Sequence, residues 1–343
     1  MFRRIFVWIM TFVALALCLP SAIYCQNAMT AADIAARCQE SLNWQKSFSM
    51  RIHTAFAPLE GYSDKGPSER DFTLKHDANT MRGEWTGRVR AVGEWVKPFN
   101  NNDPCLVYSF TKVVTAEFGI DFENYIGQNP RVAKMSENPK ERLQELLDSD
   151  SYGGHVLGRM GGNGHLNVAE FLISANNLTV RPDMQSVNGL QCYILEGTTR
   201  YGKAVVWIAP DKGYCPVKWT IQKGPRDLLG DKPIGVNRIT DFEVIEFEQQ
   251  GKSFIPKRAK SNDTVSMPDG TKDAGLVLYE ISEIQLNPDF ALQRAFKVNL
   301  PEGTRVVGKS GIKLIWKNNK IVADVNQRPF DEIDKTIEQF KQQ

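Results

Sequence analysis

The sequence predicts a mainly β chain of the α+β class, and three observations carry that reading. Two long regions, 48–114 and 189–325, alternate polar and apolar residues or run apolar, and polar turns divide them. Helical periodicity is confined to four short stretches, one near each end and two between. In the second β region the strands are apolar on both faces: within KAVVWIAP, Ala204, Val206 and Ile208 point one way and Val205 and Trp207 the other. A sheet of that kind must be covered on both sides or hold something apolar. So few helices can fill the inside of a curved sheet but cannot coat both of its faces.

The first element is a leader, residues 1–25. Arg3 and Arg4 precede an apolar run from Ile5 to Leu19, and Pro20 follows. That is the layout of a secretory signal peptide, and the run is short for a spanning helix. An uncleaved anchor is the competing reading. Cleavage after Cys25 and after Ala28 fit equally well. A lipid on Cys25 is disfavoured because Tyr24 is bulky for the position before a lipidated cysteine. The expected location is therefore the periplasm or cell envelope. The remainder, 29–343, reads as one domain: a helix and strands over 29–188, a β-meander over 189–325, and a closing helix over 329–342.

Thr30 opens the first helix, with Asp33 three residues on as a capping box, and Ala31, Ile34, Ala35, Cys38 and Leu42 form its apolar stripe. Strands follow in SMRIHTAF, DFTLKH, TMRGEWTGRVRAV and CLVYSFTKVV. A second helix begins at Asn138 and Pro139, with Leu143, Leu146 and Leu147 inward. The stretch 152–167 holds six glycines and reads as a flexible surface loop. A short helix after it turns Val168, Phe171 and Leu172 inward. The meander then runs through GLQCYILEG, KAVVWIAP, YCPVKWTIQK, ITDFEVIEFEQQ, SFIPKRAK and LVLYEISEIQL, and three short strands precede the closing helix with Phe330, Ile333, Ile337 and Phe340 on one face.

Several functions are disfavoured. Gly303 to Ser310, GTRVVGKS, matches the phosphate-binding P-loop pattern, but that motif needs a helix after it. Here Ile312, Leu314 and Trp316 alternate with Lys313, Ile315 and Lys317, so a strand follows, and Val306 and Val307 favour extended backbone. No nucleotide is expected. The net charge of +2 gives no case for nucleic acid, and the basic IPKRAK stretch reads as a solvated strand end. His155 and His165 lack metal-site spacing, and no serine elbow or acid–base pair stands out, so no catalytic residue, metal or cofactor is expected. Cys38, Cys105, Cys192 and Cys215 allow two disulfides in three connectivities. Cys192 and Cys215 sit on strands that flank a third, which argues against a bridge between them. The pairing stays open.

YILEGTTRYGKAVVWIAPDKGYCPVKWTIQK, Tyr193 to Lys223, and the later LNPDFALQRAFKVNLPEGTRVV resemble the LolA-like superfamily of exported lipoprotein carriers and sorting proteins. The resemblance covers Gly189 to Trp316 and consists of strands and turns rather than reactive residues. It implies an antiparallel half-barrel with helices plugging its concave side and a hydrophobic cavity between them. It further implies a non-enzymatic role binding lipid or lipoprotein acyl chains, with a cell-envelope scaffold or sensor that holds a protein partner as the alternative. Trp207, Trp219, Phe242 and Trp316 are the residues expected to line the cavity.

Overall fold

The computed structural model describes residues 29–61, 68–78, 80–90, 105–115, 119–125, 132–136, 138–139, 143, 154–160, 166–230, 232–298, 300–307 and 313–323. The leader, most of the helix expected after Asn138, residues 308–310 of the P-loop match with the two that follow, His165 and the closing helix lie outside the described residues.

Helix α1 (Ala31–Ser41) starts as its sequence dictates. The Thr30 hydroxyl accepts from the Asp33 backbone N–H, and the Asp33 carboxylate accepts from the Thr30 N–H in return. Ile34, Ala35 and Cys38 are its buried residues. Six strands follow: β1 (Ser47–Glu60), β2 (Ser68–Asp77), β3 (Thr80–Arg90), β4 (Cys105–Val114), β5 (Gly119–Tyr125) and β6 (Val132–Ser136). Helix α2 (Val168–Ser174) is capped by Asn167, whose side-chain oxygen takes the N–H groups of Ala169 and Glu170. Next come β7 (Asn176–Val180), β8 (Gln185–Val187), β9 (Leu190–Thr199), β10 (Gly202–Ala209) and β11 (Cys215–Lys223). The two-residue pair β12 (Leu228–Leu229) and β13 (Lys232–Pro233) stands apart. After it run β14 (Asn237–Gln250), β15 (Ser253–Ser266), β16 (Lys272–Leu286), the one-turn α3 (Phe290–Gln293), β17 (Arg305–Val307), β18 (Lys313–Lys317) and β19 (Lys320–Ala323).

Among the described residues seventeen strands join one curved sheet. Its spatial order is β19-β18-β17-β6-β5-β4-β3-β2-β1-β16-β15-β14-β11-β10-β9, with β7 and β8 both paired to β9. Strand β1 is the keel. It pairs with β2 on one side and with β16, more than two hundred residues later, on the other. The chain builds outward from β1 to β6, then builds the other wing and returns through β16 to close on β1. That leaves the edge of β6 open, and β17 fills it in the one parallel pairing of an otherwise antiparallel ladder. The two ends of the ladder do not pair with each other among the described residues, so the sheet stays an open half-barrel. Bulges at Trp207/Ile208 and Val244/Glu246 bend the strands as curvature requires.

The main core lies on the concave side. Phe48, Met50 and Ile52 of β1, Phe72 and Leu74 of β2, Ala204 and Val206 of β10, Trp219 and Ile221 of β11, and Phe242 and Val244 of β14 form its floor. Its lid is α1, Trp44, α2 and the segment 154–160. That last member corrects the reading of 152–167 as a surface loop. His155, Val156, Leu157 and Met160 are all buried, because the apolar residues set between the glycines reach the sheet. The P-loop expectation resolves as the flanking residues indicate: Gly303 turns with φ +82, Arg305–Val307 is a strand, and another strand follows at Lys313.

Candidate functional site

The deepest part of the concave face is a transverse row set by register. Leu195, Val206, Trp219, Phe242 and Ser261 lie opposite one another in turn across β9, β10, β11, β14 and β15. Trp219 and Phe242 stack at 5.4 Å between ring centroids, 19° from parallel. His155 closes over them from the lid, its ring 5.2 Å from Trp219, 6.2 Å from Phe242 and 6.5 Å from Tyr279.

A buried imidazole needs a hydrogen-bond partner. His155 Nδ1 lies 3.2 Å from the Tyr279 hydroxyl, which lies 3.1 Å from the Ser261 hydroxyl. Histidine, tyrosine and serine thus form a short polar chain inside an aromatic box. The segment that delivers His155 is folded on itself. Gly158 N–H donates to His155 O at 2.9 Å, Arg159 N–H to Gly154 O at 2.9 Å, and Val168 N–H to Gly158 O at 2.8 Å. Gly158 adopts φ +70, a conformation that glycine takes at no steric cost.

Between lid and floor remains a slot of about 20 Å³, lined by Leu42, Trp44, His155, Val156, Cys215 and Trp219 among others. That holds one water molecule. Among the described residues, the lid side chains leave only this narrow slot above the aromatic floor. The indole N–H groups of Trp44 and Trp219 are buried and have no acceptor among the described residues. A buried donor without an acceptor carries a desolvation penalty of about 1–3 kcal/mol.

Of the four residues expected to line a cavity, the structure brings Trp219 and Phe242 together. Trp207 lies elsewhere, half-buried and directly opposite Lys218, whose ammonium sits 5.1 Å from the ring centroid. Its indole N–H donates to the Gln185 side chain at 3.1 Å. Trp316 belongs to a second cluster with Val113, Ile120, Ala133, Val298, Leu300 and Val306. Sequence reasoning missed His155, Tyr279 and Trp44. The available signal was the apolar Val156–Leu157 pair and Met160 inside a glycine-rich stretch.

No family model matches the chain, and no curated protein sequence matches it. Among solved structures it is similar to a LolA superfamily protein from Nitrosomonas europaea, at 14% identity over 76% of this chain and 95% of that one, with a TM-score of 0.38. It is also similar to a chain of the MucA/MucB complex of Pseudomonas aeruginosa, at 10% identity over 75% of this chain and 99% of that one, with a TM-score of 0.23. Lipovitellin, in a structure titled for its lipid–protein interactions, matches at 11% identity over 71% of this chain and 26% of its own, with a TM-score of 0.25.

Proposed function

We propose that this is an exported, non-enzymatic carrier that takes an acyl chain of a lipid or lipoprotein between the lid and the aromatic floor. The observation that supports this most directly is the slot itself: an aromatic floor, a thin lid of local segments, and, among its lining residues, Trp44 and Trp219, whose buried indole N–H groups have no acceptor among the described residues. Binding displaces the segment 154–160, and the acyl chain replaces its side chains on the floor. The energies set a condition on the ligand. Lifting Val156, Leu157 and Met160 costs roughly 1.5–3 kcal/mol each, on the order of 5–9 kcal/mol together. Each buried methylene returns about 0.8 kcal/mol, so uptake needs a chain of about ten carbons or more. A carbonyl at the head of the chain would accept from Trp219 or Trp44.

The test is calorimetric titration of the mature chain with straight-chain fatty acids of graded length. Chains near six carbons should give no heat of binding. Above about ten carbons, affinity should rise by up to about fourfold per methylene until the floor is covered. An affinity indifferent to chain length would overturn the carrier reading. Recovery of a stable protein partner, with no acyl species, from the native envelope would favour the scaffold or sensor instead.

A further inference from the structure

The contact between α1 and the β10–β11 hairpin carries a thiol on each side. Cys38 is buried on α1 and Cys215, the first residue of β11, is buried beneath it. One hydroxyl reaches both backbones: Ser41 Oγ lies 2.7 Å from Cys38 O and 3.3 Å from Tyr214 O, the carbonyl just before Cys215. The same contact is fastened on either side. The Arg37 guanidinium sits 4.9 Å from the centre of the Tyr214 ring, and the Tyr214 hydroxyl donates to Met29 Sδ at 3.3 Å. Cys215 also lines the slot beside Leu42 and Trp44, the residues that follow α1. Burial first, and then the nearness of Cys215, hold the Cys38 thiol protonated.

Cys192 is poorly placed to bridge Cys215. Cys192 lies on β9, and β10 separates that strand from β11. Two strand spacings put about 10 Å between such backbones, beyond the span of a disulfide. Cys192 moreover packs in a separate cluster with Ala209 and Val217. The side chain of Cys105 lies outside the described ones.

We propose that Cys38 and Cys215 are a disulfide modification site whose bridge clamps α1 to β11. The bond forms by exchange with a disulfide-bearing oxidant. One thiolate attacks an oxidant sulfur and releases a thiol, and the second thiolate attacks the mixed disulfide and releases the other. Two electrons pass to the oxidant, and the two protons end on its released thiols. In the closed fold both sulfurs are buried, and burial pushes the Cys215 thiol up to about 11. A protonated, buried thiol is a poor nucleophile, so the bridge forms while the chain folds in an oxidising compartment. Once made, it fixes α1. Under the carrier reading, opening then falls to 154–160 and α2.

Peptide mapping decides this without reference to any ligand. The full chain is exported by its own leader, purified without reductant, unfolded, alkylated and digested. The expected result is one pair of peptides joined through Cys38 and Cys215, two hydrogens lighter than their sum and split by reductant. In Cys38→Ala, Cys215 should become alkylatable without reductant, and the reverse in Cys215→Ala. Should either variant fail to fold, the map of the unaltered chain still decides. Separate alkylation of Cys38 and Cys215, or a bond from either to Cys105 or Cys192, would overturn the assignment. An acyl titration that fails while the bridge is present would refute the carrier and leave the clamp standing.

Discussion

Leu157→Ala separates a displaceable lid from an ordinary core. Leu157 is 2% exposed and packs in the main cluster beside Val156, Met160 and the floor residues. Removing its side chain from a packed site costs about 2–5 kcal/mol, and ~3 kcal/mol is a central figure. The loss falls on the closed state alone if the lifted lid places Leu157 in water. The closed-to-open gap shrinks by the same ~3 kcal/mol, and acyl affinity rises by up to about 150-fold, less once the open state dominates. Two measurements follow: titration with a fluorescent sixteen-carbon fatty acid, and hydrogen exchange at amides 154–160. Tighter binding together with faster exchange is expected. Leu300→Ala, in the second cluster, serves as the control. It should lower the melting temperature and leave affinity unchanged. Faster exchange at 154–160 with unchanged or weaker binding would show that the floor beneath Leu157 is not where the acyl chain goes.

Three further outcomes are expected. Trp219→Ala should weaken acyl binding at least tenfold, whereas Trp207→Ala, set against Lys218 and Gln185 rather than the lid, should leave it unchanged in the same titration. Asn167→Ala removes the acceptor of two α2 N–H groups and should cost about 1 kcal/mol in urea denaturation. Burial raises the Cys192 thiol to about 11 from an ordinary value near 8.5, so the folded state favours the neutral form. That stabilisation is complete below the ordinary value and is lost as pH rises through about 11, and Cys192→Ala should flatten the decline of melting temperature over that window.

What the sequence revealed divides along the range of the interactions. Alternation placed β9, β10, β11, β14, β15 and β16 because each is set by its own residues and its turns. The α1 capping box and the inward Val168, Phe171 and Leu172 of α2 were legible for the same reason. Pairing was not. Nothing local in Ser47–Glu60 says that one edge will meet Ser68–Asp77 and the other Lys272–Leu286, since period two names a strand and not its neighbour. The parallel seam of β6 with β17 was hidden likewise. Of the four expected site residues, Trp219 and Phe242 share the floor through register, whereas Trp207 sits one residue out of phase with Val206 and Trp316 sits on the far wing. Glycine content masked the lid segment: six glycines suggested a loop, while the burial of Val156, Leu157 and Met160 decided its place.

The distribution of bonds decides which part of the lid gives way first. The floor is cross-linked on both sides of every central strand, so no strand can move without breaking a ladder. Helix α1 meets β11 through a buried thiol, a bridging hydroxyl and a cation over a ring. The backbone bonds of 154–160 are of another kind, running among its own members and to Val168. Its attachments to other parts include Gln45 Nε2 donating to Leu157 O at 2.9 Å and the His155–Tyr279 contact, with apolar packing beside them. Apolar packing is what an acyl chain can replace methylene for methylene, whereas a backbone ladder it cannot. Under the proposed carrier function, entry of an acyl chain should lift the segment carrying His155, and the polar chain to Tyr279 and Ser261 should set the lid back once the ligand has gone.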